Sequence, residues 1–223
     1  MSRQLAFDLP SGEAFRRADF FTSPANAQAL ASIEAWQHWP GGKLVLVGPE
    51  GAGKTHLAHI WAEIAGAEVI AAHRLPETDL HDLAEGPVAV ENADQIAGDR
   101  EAEVALFHLH NLLDGRGLLV TAAHSPRDWG VALPDLLSRM QAASVAQLDP
   151  PDDMLLSAVL IKLFADRQIA VPPNLIPYLV SRMDRSIAAA REWVKFLDAR
   201  ALALGRPVTR ALAAEVLDLA EAR

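Results

Sequence analysis

The sequence predicts an α/β fold, a mostly parallel five-stranded sheet followed by a small all-helical domain. Three observations predict it. A glycine-rich loop sits between an apolar run and an amphipathic helix. Four further short apolar runs alternate with helical segments. The texture then changes at Asp149-Pro150-Pro151-Asp152-Asp153, beyond which every segment has helical spacing.

The elements follow in order. Ser23-Pro24-Ala25-Asn26 reads as a helix start, with apolar residues at helical spacing over 27–36, and Pro40-Gly41-Gly42 breaks that helix. Leu44-Val45-Leu46-Val47 is a buried strand, and 56–64 a helix. Further strands are expected at 69–72, 88–90, 118–121 and 144–148, with helices at 101–113 and 133–140 between the later ones. Asp114-Gly115-Arg116-Gly117 ends the first of those helices. Helices are then expected at 154–168, 173–183, 186–204 and 209–222. The chain accordingly divides into a tail (1–12), an α/β core (13–150) and a helical domain (151–223).

Composition narrows the function classes. The chain of 223 residues is 51% hydrophobic, enough for a sizeable core. It has no cysteine, which removes disulfides and thiolate metal sites and fits a reducing compartment. The N-terminus has no long apolar run, and no stretch is long enough to span a bilayer, so a cytoplasmic protein without membrane contact is expected. A net charge of −9 and a pI near 5.3 argue against strong direct DNA binding and favour protein partners.

The glycine loop is Gly48-Pro49-Glu50-Gly51-Ala52-Gly53-Lys54-Thr55, a match to G-x-x-x-x-G-K-[ST] at every specified position. Glycines let backbone N–H groups approach phosphate oxygens, and the following helix N-terminus adds partial positive charge. Lys54 is expected on the β/γ-phosphates and the Thr55 hydroxyl on Mg²⁺. The candidate cofactor-binding residues are therefore 48–55 together with His56 behind them.

Such a loop works with a carboxylate at the end of a neighbouring strand. Glu91 follows the run Val88-Ala89-Val90 and is the candidate; Asn92 comes next, where a hydrolytic site wants a second carboxylate. An amide can hydrogen-bond but cannot act as a base, so weak or absent turnover is expected. A solvated glutamate at a strand end is the plainer reading of Glu91. His56 and His59 lie one turn apart without an evident third ligand. Trp61 and Trp193 occupy apolar helical positions and are expected in the core, and Phe20 and Phe21 either over a sheet edge or, as the family resemblance named below implies, near a bound base.

Taken together, these motifs resemble the AAA+ ATPases and, more specifically, the DnaA-related regulatory inactivators, the Hda-like proteins. The resemblance runs from FFTSPAN through GPEGAGKTHL, VAVENADQIAG and LFHLHNLL to LLVTAAHSP and LPDLLSRM. It implies an AAA+ fold, binding of ADP or ATP with Mg²⁺, and a role in switching off the replication initiator DnaA. By position it makes residues 48–55 the Walker A loop, Glu91 the Walker B metal carboxylate and Thr121 the sensor-1 residue. It makes Arg139, in Leu136-Leu137-Ser138-Arg139-Met140, an arginine finger acting on nucleotide held by a neighbouring subunit. Two departures stand out: Walker B reads Glu-Asn, and the sensor-2 arginine position falls at Ala188, with Arg185 and Arg191 three residues to either side.

Gln4-Leu5-Ala6-Phe7-Asp8-Leu9 resembles the peptide by which replication proteins dock on the bacterial sliding clamp, with Gln4 for a polar subsite and Leu5, Phe7 and Leu9 for an apolar one. A first strand or a fold-back onto the core is the plainer reading. The expected partners are thus DnaA and the sliding clamp, with a homo-oligomer as a further possibility. The alternatives are an autonomous P-loop ATPase that loads or remodels another replication protein, and a scaffold without finger action.

Overall fold

The computed structural model describes residues 17–221. Its sheet is built from strands whose alternate residues feed two different cores. In β1 (Lys43–Val47), Val45 and Val47 enter one apolar cluster while Leu44 and Leu46 enter another. That period of two, with apolar residues on both faces, is what a central parallel strand requires.

Helix α1 (Ala27–Glu34) precedes β1, and α2 (Lys54–Ala65) follows the glycine loop. Then come β2 (Glu68–Ala71), the single turn α3 (Leu80–Leu83), β3 (Val88–Glu91), α4 (Arg100–Leu112), β4 (Leu118–Ala122), α5 (Pro134–Ala142) and β5 (Ser144–Gln147). The strand order is β2-β3-β4-β1-β5 and every pairing is parallel. Leu30 and Ile33 of α1 and Leu57, Ile60 and Trp61 of α2 cover one face. Leu106 and Leu109 of α4 and Leu136 and Met140 of α5 cover the other. The loop and the strand ends beyond β3 and β4 therefore share one edge of the sheet, the edge where parallel α/β sheets hold ligands.

Trp61 is fully buried and anchors the α2 face; it stacks on Trp39 (centroids 5.2 Å apart) and meets Trp36 edge-on at 6.1 Å. Such aromatic pairs contribute about 0.5–1.5 kcal/mol each beyond area burial. The helical C-terminal part comprises α6 (Asp153–Asp166), α7 (Leu175–Val180), α8 (Ile187–Leu204) and α9 (Arg210–Glu221). Leu156, Leu160, Phe164, Leu179, Val194 and Leu197 form its own core. Trp193 is only partly buried against it.

The sequence reading differs from the structure in several elements. Helix α1 stops at Glu34, and residues 36–42 continue as short 3₁₀ turns. The helix expected over 173–183 is regular only over Leu175–Val180, because the adjacent Pro172 and Pro173 delay its start. An unexpected 3₁₀ segment, Ala72–Glu77, buries Ala72 and Leu75 beside α4. Pro76 inside it hides any helical period from the sequence.

The helical domain is fastened to the core at several points. Ile187 donates its N–H to the Gly51 carbonyl at 2.8 Å. Within the helical part itself, Arg185 pairs with Asp153 at 2.7 Å and donates to the Pro151 carbonyl at 3.3 Å. Lys162 of α6 meets Asp19 at 3.1 Å.

Candidate functional site

The loop owes its shape to two glycines in the left-handed region. Gly53 has φ +107 and ends the loop as the N-cap of α2; Gly51 has φ +71. A Cβ on Gly51 would also fall 1.9 Å from Ser186 Oγ, so the helical domain touches the loop there. Both conformations favour glycine.

Lys54, 9% exposed, folds back over the loop. Its Nζ donates to the carbonyls of Gly48 at 2.6 Å and Pro49 at 2.9 Å. Burial holds the Lys54 ammonium below its ordinary range, while Asp94, then Glu50, then Glu91 push the other way. A buried cation here suits a polyanion that completes its hydrogen bonds. Thr55, next along α2, is exposed.

The carboxylate side is assembled from β3 and β4. Glu91 closes β3, and its Oε1 is buried without a hydrogen-bond partner among the described residues. That oxygen leaves one acceptor position open, while no group of three or more His, Cys, Asp or Glu side chains placed to hold a metal ion is found among the described residues. Asn92 adopts φ 58, a conformation asparagine tolerates, and its N–H donates to Thr121 Oγ1 at 3.1 Å. Thr121, 1% exposed on β4, thus ties the two strand ends together through its hydroxyl. The structure brings Glu91, Asn92 and Thr121 into one cluster.

Asp94, unassigned in the sequence reading, joins this cluster. Its Oδ2 accepts from the Ala123 N–H at 2.9 Å and lies 3.2 Å from His124 Nδ1. Its charge is the foremost one favouring protonated Lys54. The signal was a second carboxylate three residues after Glu91, hidden because the left-handed turn at Asn92 redirects the chain.

Ser186 caps α8, its Oγ accepting from the N–H groups of Ala188 at 3.1 Å and Ala189 at 3.3 Å. The Ala188 methyl lies 3.5 Å from where a Gly51 Cβ would stand. Position 188 therefore faces the loop with no charge to offer. Arg185 does not supply one, being occupied with Asp153 and Pro151 as above. Phe20 is partly buried and meets His56 edge-on at 5.1 Å, while Phe21 is 42% exposed.

Arg139 is not part of the cluster. It lies in the last turn of α5, on the sheet face opposite α2, and is exposed. Its charge reaches His110 near the end of α4. Among the described residues it forms no ion pair. Gln4, Leu5, Phe7 and Leu9 lie outside the described residues.

Strand order, loop and helical appendage define an AAA+ P-loop fold, and similar solved structures share it. Domain III of the replication initiation protein DnaA from Thermotoga maritima superposes with a TM-score of 0.77 at 20% identity, covering 94% of this chain and 98% of that one. AMPPCP-bound DnaA from Aquifex aeolicus gives 0.66 at 15% identity over 80% of this chain, which spans only 63% of it. A RuvB variant from Thermotoga maritima gives 0.67 at 16% identity, over 91% of this chain and 71% of that one. No protein-family profile matches the chain.

Proposed function

We propose that this chain binds ADP or ATP with Mg²⁺ and regulates replication initiation by stimulating ATP hydrolysis on DnaA. Gly48 to Thr55 cradle the phosphates, Lys54 bonds the β/γ-phosphates, and Thr55 and Glu91 hold the cation, which neutralises phosphate charge when bound. His56 lies beside them on α2. Thr121 and Asn92 fix the strand ends around the phosphates. The AMPPCP carried by the similar Aquifex DnaA supports an adenine nucleotide.

The observation that carries the regulatory reading is Arg139, an exposed guanidinium on α5 without an ion-pair partner among the described residues. Placed on the opposite face from α2, it acts on a neighbour's nucleotide rather than its own. A guanidinium keeps its charge and matches phosphate oxygens bidentately, and a finger supplied in trans accelerates phosphoryl transfer by roughly 10³–10⁵. Gln4, Leu5, Phe7 and Leu9 tether the chain to the sliding clamp, which concentrates it near DnaA on DNA. The chain acts in the cytoplasm, where DnaA and the clamp work.

The test is the ATP hydrolysis rate of DnaA on clamp-loaded DNA with this protein added. Stimulation lost in both Arg139→Ala and Gln4→Ala/Leu5→Ala is the expected result. Lack of stimulation by the unmodified chain, with ADP or ATP supplied, would overturn the proposal.

A second reading, an autonomous ATPase that remodels another replication protein, is favoured by one observation: Asp94 restores a second carboxylate near Lys54. Rapid turnover by the isolated chain, abolished in Lys54→Ala, would select it.

A further inference from the structure

Glu103 is completely buried, yet no cation pairs with it among the described residues. Three backbone N–H groups satisfy it instead. Oε1 accepts from Gly98 at 2.9 Å and Ala132 at 3.0 Å, and Oε2 accepts from Leu133 at 2.8 Å. Gly98 belongs to the loop that leads from the Glu91 strand end into α4. Ala132 and Leu133 open α5, the helix that carries Arg139.

The surroundings explain why a carboxylate sits here. Asp99 caps α4 through bonds to the N–H groups of Glu101 and Ala102, both at 3.1 Å, which leaves Glu103 in the positive first turns of that helix. Leu133, the N-cap of α5, has no side chain able to cap it, and Pro134 follows at the first helical position. Glu103 therefore satisfies, from α4, the N–H of the residue that opens α5 and of the one before it. Its carboxylate lies between two helix N-termini, where an anion is favoured and a neutral residue leaves buried donors unpaired.

We propose that Glu103 is a positioning residue for Arg139: it ties the start of α5 to the loop behind the Glu91 strand and so fixes where the guanidinium is presented. The inference rests on the trans-acting role given to Arg139 above. Glu103 touches no nucleotide. It acts through α5, whose buried Leu136 and Met140 seat the helix on the sheet while Glu103 sets its starting point.

The test uses the full chain with Glu103→Gln, which keeps shape and one acceptor oxygen but turns an amide donor towards a backbone donor. On DnaA with clamp-loaded DNA, the maximal stimulated rate is expected to fall about tenfold while the half-saturating concentration and the chain's own ADP affinity hold. Circular dichroism shows whether the variant is folded. Because the chain has no cysteine, spin labels at Glu101→Cys and Ser138→Cys report the α4–α5 geometry independently of DnaA. One narrow distance distribution is expected with Glu103 present, and a broadened or shifted one with Gln.

An unchanged label distribution in a folded Glu103→Gln protein overturns the positioning role. So does an unchanged rate where Arg139→Ala abolishes stimulation. Absence of stimulation by the unmodified chain sinks the role of Arg139 itself, and the label distances still decide whether Glu103 holds α5.

Discussion

Ile187 and Gly51 share a backbone hydrogen bond of 2.8 Å, so the first residue of α8 is bonded directly to the glycine loop. The helical part therefore meets the loop through this main-chain bond and through the Ser186, Ile187 and Ala188 side chains beside Gly51 and Gly53.

That contact makes Gly51 sensitive to a single methyl. Gly51→Ala adds strain at φ +71 and places a carbon 1.9 Å from Ser186 Oγ. A loss of about 2 kcal/mol in stability is expected, measured by urea unfolding. Ser186→Gly in the same chain should return part of that loss, since it removes the collision but not the strain. Equal unfolding midpoints for the single and double variants would show that the contact is not formed.

Lys54→Ala should weaken ADP binding by roughly 10–100-fold, the worth of a charge-assisted hydrogen bond to phosphate. Isothermal titration calorimetry measures it. Stability without nucleotide should change little, because removing a cation whose burial already opposes its charge offsets the loss of its two bonds to Gly48 and Pro49.

Glu91→Gln separates cation from nucleotide. Glu91 Oε1 is buried and unsatisfied, so the carboxylate is poised to gain a ligand rather than to lose one. Mg²⁺ should tighten ADP binding to the unmodified chain and have little effect on the variant. Equal Mg²⁺ dependence in the two proteins would remove Glu91 from the cation site.

Ala188→Arg tests the silent position on α8. Its methyl lies 3.5 Å from where a Gly51 Cβ would stand, so a guanidinium there is placed beside the loop. ATP affinity is expected to rise about tenfold, by filter binding or calorimetry. No change would mean that α8 does not face the phosphates when nucleotide is bound.

His110 predicts an acid sensitivity. The ring is 4% exposed and its Nδ1 has no hydrogen-bond partner among the described residues. Burial, with Lys43 and Arg139 against Asn111 and Asp114, depresses its pKa from 6.5 to about 4. The unfolded chain therefore holds a proton that the folded chain refuses between those values. Stability from this group is complete above pH 6.5 and is lost as pH falls towards 4, by about 2 kcal/mol at pH 5. Denaturant unfolding at pH 7.5 and 5 should show that drop in the unmodified chain and a smaller one in His110→Leu.

The sheet was legible because every central strand is a short apolar run, and Val45 and Leu46 read the same whichever face they enter. The loop was legible because its glycines are required by backbone geometry. Asp94 and Glu103 were not. The bonds of Asp94 to Ala123 and His124 and those of Glu103 to Ala132 and Leu133 span 29 or 30 residues, and no local period announces them. The only trace of Glu103 was a carboxylate one turn from Leu106 in an otherwise apolar stripe. The engagement of Arg185, three residues from Ala188, with Asp153 and the Pro151 carbonyl was equally hidden, since both partners lie more than thirty residues away in sequence.

The left-handed backbone at Asn92 bears on how this chain can evolve. A φ of 58 admits asparagine, aspartate or glycine and excludes branched side chains, so few neighbours in sequence space are open to the position. Aspartate is among them, isosteric with the residue in place, and the bond from the residue 92 N–H to Thr121 is indifferent to the exchange. The paired carboxylate of a hydrolytic site is thus one conservative substitution away and carries no conformational barrier. The backbone at residue 92 does not itself demand an amide.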